Sequence, residues 1–199
     1  MRTFSITWDY RCPFARNANE HVLAGLAAGA DWDVTFVPFS LGQVHVREGE
    51  PPIWDRADDD SGVYALMVGV AARDLEPARF RAVHHDLFAL RHDNGGDLRN
   101  RDAVRDVLDA HGVDTDTVLA NVEDGSALKV VRQEHETAAS DHNVWGVPTF
   151  ISDDRAVFVR LMDRPKGDGA LAIRTIEQVL DMVDGFAGLN EFKHTSIPR

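Results

Sequence analysis

The sequence predicts an α/β protein in which a β-α-β start and an α-β-β-α end are separated by an all-helical block. Three observations carry that reading. A stretch of period two near the N-terminus is followed by a helical stripe and a second apolar strand. The middle of the chain shows only helical periodicity. A proline then leads into two short strands with a hairpin signal, ahead of a last amphipathic helix.

Phe4, Ile6 and Trp8 alternate with Thr3, Ser5 and Thr7, which gives a strand over Thr3 to Trp8 with one buried face. Pro13 suits the first position of a helix, because its missing N–H would be unpaired there anyway. Ala15, Ala18, Val22 and Leu26 follow at helical spacing until Gly29 offers a stop. Asp33 to Phe39, rich in Val and Phe, is the second strand, and so short a β-α-β order implies a parallel pair with a right-handed crossover. Asp55 to Asp60 reads as an acidic loop. Val63 to Asp74, Pro77 to His92, Asp102 to His111 and Asp114 to Val122 read as helices. Asn100, Asp114 and Ser126 stand where N-caps belong, and Gly95-Gly96, Gly112 and Gly125 break the helices between them. Ser126 to His142 is a further helix. Thr149 to Ser152 and Ala156 to Arg160 flank the turn Asp153-Asp154, and Gly169 to Val183 closes the fold with Leu171, Ile173, Ile176, Val179, Leu180 and Val183 on one side. The expected division is an α/β frame of residues 1–44 and 126–199 around a helical insertion of residues 45–125, with an exposed tail from Asn190 to Arg199.

Composition narrows the function. Among 199 residues, 21 Lys+Arg stand against 33 Asp+Glu, a formal net charge of −12 that argues against a nucleic-acid partner. Hydrophobic residues at 44% are enough to bury a core. The longest uncharged apolar stretch, Val63 to Ala72, falls well short of the ~20 residues a bilayer span needs, so no membrane partner is expected. The N-terminus carries Asp9 and lacks the apolar core of a secretory signal. A single cysteine, Cys12, excludes an internal disulfide and a Cys-rich zinc site, and the reducing cytoplasm is the expected compartment.

Cys12 lies between a strand end and a helix opened by Pro13. Unpaired N–H groups, the positive helix end, Arg11 and Arg16 would favour a thiolate, a setting that moves a cysteine pKa from about 8.5 into roughly the 3.5–7.5 range. The alternative is a small apolar residue buried at a helix start. Taken alone, Cys12 supports both readings equally.

Gly146-Val147-Pro148-Thr149-Phe150, placed between a helix and a strand, separates them. A strand-Cys-Pro-helix start paired with a late Val-Pro-Thr before a strand resembles the thioredoxin fold. The resemblance implies that Pro148 is cis and sits against the Cys12 sulfur, with the backbone of Val147 free to pair with a bound thiol. The helical insertion resembles the DsbA-like branch. Trp8-Asp9-Tyr10-Arg11-Cys12-Pro13-Phe14, Phe39-Ser40-Leu41, Val144-Trp145-Gly146-Val147-Pro148-Thr149 and Glu191-Phe192-Lys193 are similar to the actinobacterial mycothiol-dependent thiol oxidoreductase/nitroreductase group. The departure is Cys12-Pro13-Phe14-Ala15 where that family has Cys-Pro-x-Cys. No resolving thiol exists in the chain, so an outside thiol must release any mixed disulfide.

The expected activity is therefore thiol-dependent redox chemistry at Cys12, with Pro13 and Pro148 completing the catalytic element. Phe14, Trp145, Val147 and Thr149 are the expected substrate contacts, and Trp54, Tyr64 and Met67 are candidates for a pocket beside Cys12. No tightly bound cofactor is expected. A low-molecular-weight thiol, mycothiol on the resemblance, is the co-substrate, and the partner is a small-molecule disulfide or electrophile, with a homodimer left open. A thiol-dependent transferase or isomerase of the kappa-class or hydroxychromene-carboxylate isomerase type is the rival, and a binding module on the same fold is another. His84-His85, His135 and His142 are not spaced as metal ligands: His135 and His142 stand two turns apart, ~10 Å along the axis. Asp9 reads as a turn or cap residue, with a proton-acceptor role as the alternative. The run Asp58-Asp59-Asp60 lacks the spaced ligands of a calcium loop and is assigned no function.

Overall fold

The computed structural model describes residues 1–60 and 62–197. Strands β1 (Arg2–Trp8), β2 (Trp32–Pro38), β3 (Thr149–Ser152) and β4 (Arg155–Phe158) form one sheet in the order β2-β1-β3-β4. β1 and β2 run parallel, from Arg2 opposite Trp32 to Trp8 opposite Pro38, joined by the crossover helix α1 (Pro13–Ala27). β3 lies antiparallel to β1 and β4 antiparallel to β3. Phe4, Ile6 and Trp8 are buried as the alternation requires. Thr7, on the opposite parity, is fully buried as well, because its hydroxyl accepts the Thr149 N–H at 2.8 Å and ties β1 to the start of β3.

The remaining helices are α2 (Leu41–Val44), α3 (Val63–Leu75), α4 (Pro77–His92), α5 (Arg101–Ala110), α6 (Thr115–Glu123), α7 (Ser126–His142) and α8 (Gly169–Gly185). The α/β order read from the sequence is the one observed. Asn100 and Asp114 cap α5 and α6 by accepting N–H groups of the first turn, and Asp168 does the same for α8. α3 packs on α4, α6 and α7, while α7 reaches β2 and α1 packs on both α8 and α4. One buried apolar cluster runs from β1 and α1 through α3 and α4 to α6, so the helical block and the sheet share a core. No helix among the described residues is long and apolar enough to cross a membrane.

Several expectations need correction. Ser126 is not an N-cap: Gly125 takes that position at φ 79°, and Ser126 is the first helical residue, its N–H held by the Asp124 carboxylate at 2.8 Å. The acidic stretch is not a loop, for Ile53–Asp59 winds as a 3₁₀ helix that buries Ile53 and Trp54. The side chains of Asp58 and Asp59 lie outside the described residues. The hairpin's second strand begins at Arg155 and ends at Phe158; beyond it the Val159 N–H donates to the Pro148 carbonyl, which carries Arg160 off the ladder. The tail is exposed from Asn190 to Ile197, and its last two residues lie outside the described part.

The outer strand β2 is covered rather than bare. Arg73, at the end of α3, donates to the Phe36 carbonyl at 2.7 Å and grips Glu134 of α7 through two N–H groups at 2.8 and 2.6 Å. At the other end of the strand, Trp32 packs edge-on to Phe4 and donates its indole N–H to Glu177 of α8 at 2.6 Å. Gly25 of α1 makes that placement possible: a Cβ there would lie 2.3 Å from the Trp32 ring. Gly25→Ala should therefore cost about 1–3 kcal/mol by overpacking, outweighing the ~1 kcal/mol that alanine gains in helix propensity. Urea unfolding of the two proteins checks this, and an equally stable variant would show that the indole yields.

Candidate active site

The chain leaves β1 at Trp8 and turns through Asp9, Tyr10 and Arg11 before Cys12 caps α1. Cys12 takes extended backbone angles, its own N–H donates to the Asp9 carbonyl at 3.0 Å, and its Sγ accepts the Ala15 N–H at 3.4 Å. This is the N-cap arrangement in which a side-chain acceptor meets a first-turn N–H. Pro13 occupies the first helical position and is exposed. From the other side comes the turn before β3, where the Val147–Pro148 peptide bond is cis. The thiol donates to the Val147 carbonyl at 3.4 Å, while the Val147 N–H has no hydrogen-bond partner among the described residues. Thr149 is buried and structural: its hydroxyl donates to the Gly146 carbonyl at 2.8 Å and its N–H is held by Thr7.

A sulfur that donates to one carbonyl and accepts from one amide is suited to the thiol form. Burial pushes the Cys12 thiol up from its ordinary value. The Ala15 and Phe14 N–H groups pull it back down, Asp9 raises it, and Arg160 lowers it. The thiolate expected from Arg11 and Arg16 is thus corrected. Arg11 is engaged by Asp9 at 3.0 Å and by Asp60 at 2.9 Å, and Arg16 by Asp93 at 2.7 Å, so their charge is neutralised before it reaches the sulfur.

Asp9 organises the turn. Its side chain has no exposure and accepts from the Arg11 N–H at 2.9 Å, from the Arg11 guanidinium, and from the Leu41 N–H at 2.8 Å. Those bonds make it a turn anchor. Asp60, from the acidic run, accepts the Gly62 and Val63 N–H groups at the start of α3 as well as pairing with Arg11.

Beneath the turn lies a buried polar chain. Asn19 donates its amide N–H to the Ala15 carbonyl at 2.8 Å, so it presents oxygen to His84 Nε2 at 3.0 Å. That assigns the proton to Nε2 and leaves Nδ1 to accept the Tyr10 hydroxyl at 2.8 Å. His92, two turns further along α4, donates to the Tyr10 carbonyl at 2.9 Å. Burial pushes the His84 pKa down to about 3. His135, stacked on Phe39 and accepting the Ser40 N–H at 3.1 Å, is pushed by burial down to about 4. His85 is exposed and pairs with Asp86, and among the described residues no group of three or more His, Cys, Asp or Glu is placed to hold a metal ion.

The structure therefore brings together Cys12, Phe14, Val147 and Pro148, with Trp145 close in sequence but turned outward, 65% exposed against the Phe158 ring. Trp54, Tyr64 and Met67 are buried in the same apolar cluster as Cys12. Trp54 meets His135 edge-on and Tyr64 lies under the Arg101 guanidinium, while Tyr64 and Met67 belong to α3, which is buried on every face from Val63 to Ala72. A cavity of about 660 Å³ lies among Val34, Phe36, Arg73, Phe80, Thr137 and His142 and holds none of the expected site residues. Sequence reasoning missed Arg160, which sits over the Phe14 ring at 5.3 Å; no local pattern marks a residue just past a hairpin strand.

A four-stranded mixed sheet with a parallel β-α-β start, a cysteine capping the crossover helix and a cis-proline turn against its sulfur defines a thioredoxin-fold protein with an inserted helical block. The family model of the DSBA-like thioredoxin domain matches residues 5–180, and the chain belongs to that family. Solved structures agree in fold. The chain is similar to a thioredoxin-like oxidoreductase from Silicibacter pomeroyi DSS-3, with 20% identity and a TM-score of 0.56 over 88% of this chain and 86% of that one. The cytosolic disulfide reductase DsbM from Pseudomonas aeruginosa, with GSH, aligns at 14% identity and a TM-score of 0.62 over 89% of this chain and 98% of that one. The thiol-disulfide exchange protein alpha-DsbA2 from Wolbachia pipientis aligns at 15% identity and a TM-score of 0.60, over 92% and 81% respectively. No curated protein matches the chain significantly.

Two measurements follow. The alkylation rate of Cys12 should keep rising through pH ~8.5, the free-thiol midpoint, and a plateau below neutrality would contradict the burial argument. The folded pKa values of His84 and His135 lie below the unfolded value of about 6.5, so the unfolded chain binds protons that the folded one refuses. Stability is then full above pH ~6.5 and declines as pH falls toward 4 for His135 and toward 3 for His84, by roughly 2 kcal/mol per histidine at pH 5. Equal urea midpoints at pH ~7.5 and ~5 would overturn this.

Proposed function

We propose that the chain is a thiol-disulfide oxidoreductase of the DsbA type that works through one cysteine and an external low-molecular-weight thiol. The observation that carries it is the placement of Cys12 Sγ at 3.4 Å from both the Ala15 N–H and the Val147 carbonyl, across a cis-proline turn. Deprotonated Cys12 attacks a disulfide, forms a mixed disulfide and expels a thiolate. A second, external thiolate then attacks the mixed disulfide and restores Cys12. The Val147 N–H is the group left among the described residues to pair with the bound sulfur compound, and Pro13, Phe14, Pro148 and Trp145 frame the approach.

Cys12 is the one cysteine of the chain, so the second step needs a partner molecule. Mycothiol is the thiol the sequence resemblance favours, and the DsbM neighbour, described with GSH, supports a low-molecular-weight thiol in general terms. A reducing cytoplasm would maintain such a thiol, with a small-molecule disulfide as the other substrate.

Ala15 is fully buried, one helical turn from Cys12, with its N–H on the sulfur. Ala15→Cys should create a reversible internal disulfide, since positions three apart at a helix start can meet the ~4.4–6.8 Å Cα span. It should also release thiols trapped on Cys12 faster than external thiol does, because the attack becomes intramolecular. Intact mass after incubation with a small disulfide reads both. A parent that forms no adduct, with a variant that keeps two free thiols under oxidising conditions, would replace this reading with a binding module.

A further inference from the structure

The positive charge that faces solvent beside Cys12 belongs to Arg160. Arg11 and Arg16 are taken up by Asp9, Asp60 and Asp93. Arg160 is exposed, rests over the half-buried Phe14 ring at 5.3 Å, and makes no ion pair among the described residues. Its position follows from the end of β4: the Val159 N–H donates to the Pro148 carbonyl, so the next residue is delivered beside the cis-proline turn. Its field is felt at the sulfur, where it favours the charged form. Two residues before Arg160, in β4, Phe158 meets the exposed Trp145 ring in a tilted pair at 4.6 Å. On a chain of net charge −12, this guanidinium is a local reversal of sign at the mouth of the reactive site.

We propose that Arg160 is a specificity residue, selecting disulfides that carry a carboxylate or similar anionic group a few atoms from the sulfur. This rests on the exchange reading above. A guanidinium recognises such a group through charge-assisted N–H bonds, bidentate where geometry allows. In the step concerned, Cys12 loses its proton to water and its sulfur bonds to one sulfur of R–S–S–R. The S–S bond breaks, and RS⁻ departs with the electron pair. The R group that stays on Cys12 keeps its anionic end against Arg160.

Three disulfides with two methylenes between the sulfur and the polar group form the test: dithiodipropionate (anionic), bis-hydroxyethyl disulfide (neutral) and cystamine (cationic). The rate of mixed-disulfide formation on the full chain is followed by intact mass. Arg160→Gln should lower the anionic-to-neutral rate ratio about tenfold, the size of one charge-assisted contact. Arg160→Lys should keep part of the preference, and Arg160→Glu should shift it toward cystamine. Comparing ratios removes both the intrinsic reactivity of each disulfide and any general change in Cys12 acidity. Unchanged ratios in Arg160→Gln, with adducts still forming, would overturn the selection role and leave the exchange reading standing. No adduct with any of the three, even at alkaline pH, would overturn the exchange reading and the selection with it.

Discussion

The site depends on one buried carboxylate. Asp9 follows β1 with no solvent contact, and an acid so placed is tolerated only where hydrogen bonds and an opposite charge surround it. Arg11 and the Leu41 N–H supply them, and in doing so they join three parts of the fold: the turn before Cys12, the start of α2 after the second strand, and, through Asp60, the start of α3. Removing Asp9 would leave Arg11 with Asp60 alone and free the Leu41 N–H. The loop that sets the Cys12 backbone would then lose its anchor to the sheet.

The helical block acts on the same turn from below. α4 presents Phe80, His84, Phe88 and His92 at spacings of four, a face that closes around Trp8 and Tyr10. His84 links Tyr10 to Asn19 and so to the Ala15 carbonyl, which connects the loop to the first turns of α1 through side chains alone. A neutral imidazole performs this because it can accept at one nitrogen and donate at the other. The insertion thus serves as a rigid floor under the cysteine loop, while the cavity it encloses with β2 and α7 lies elsewhere.

Much of this was legible from residue order. Period two over Phe4 to Trp8, Pro13 at a helix start and the capping residues Asn100 and Asp114 are local signals, and local structure followed them. The pairing of Cys12 with Val147 and Pro148 was legible through resemblance, since nothing in the spacing of residues 12 and 148 implies contact. Charge was not legible. Arg11 and Arg16 stand beside Cys12 in the chain, yet their partners Asp60 and Asp93 come from distant segments, and a sequence shows the cations without the anions that cancel them. Arg160 is the mirror case, remote in sequence and adjacent in space. The neighbours of Trp54 and Tyr64 were hidden for a related reason: an apolar stretch declares that it will be buried, not against which residue.

The grip of Arg73 on the outer strand has a consequence for how copies of this chain meet. β2 ends the sheet, and an unfinished row of backbone acceptors and donors is a template on which a foreign strand can zip. By donating to the Phe36 carbonyl while chelated by Glu134, Arg73 removes one rung from that ladder and places a fixed charged group across it. An incoming strand would have to break a two-point ion pair before it could align. The same residue that staples α3 to α7 therefore makes β2 a poor seed for fibril growth in a crowded solution.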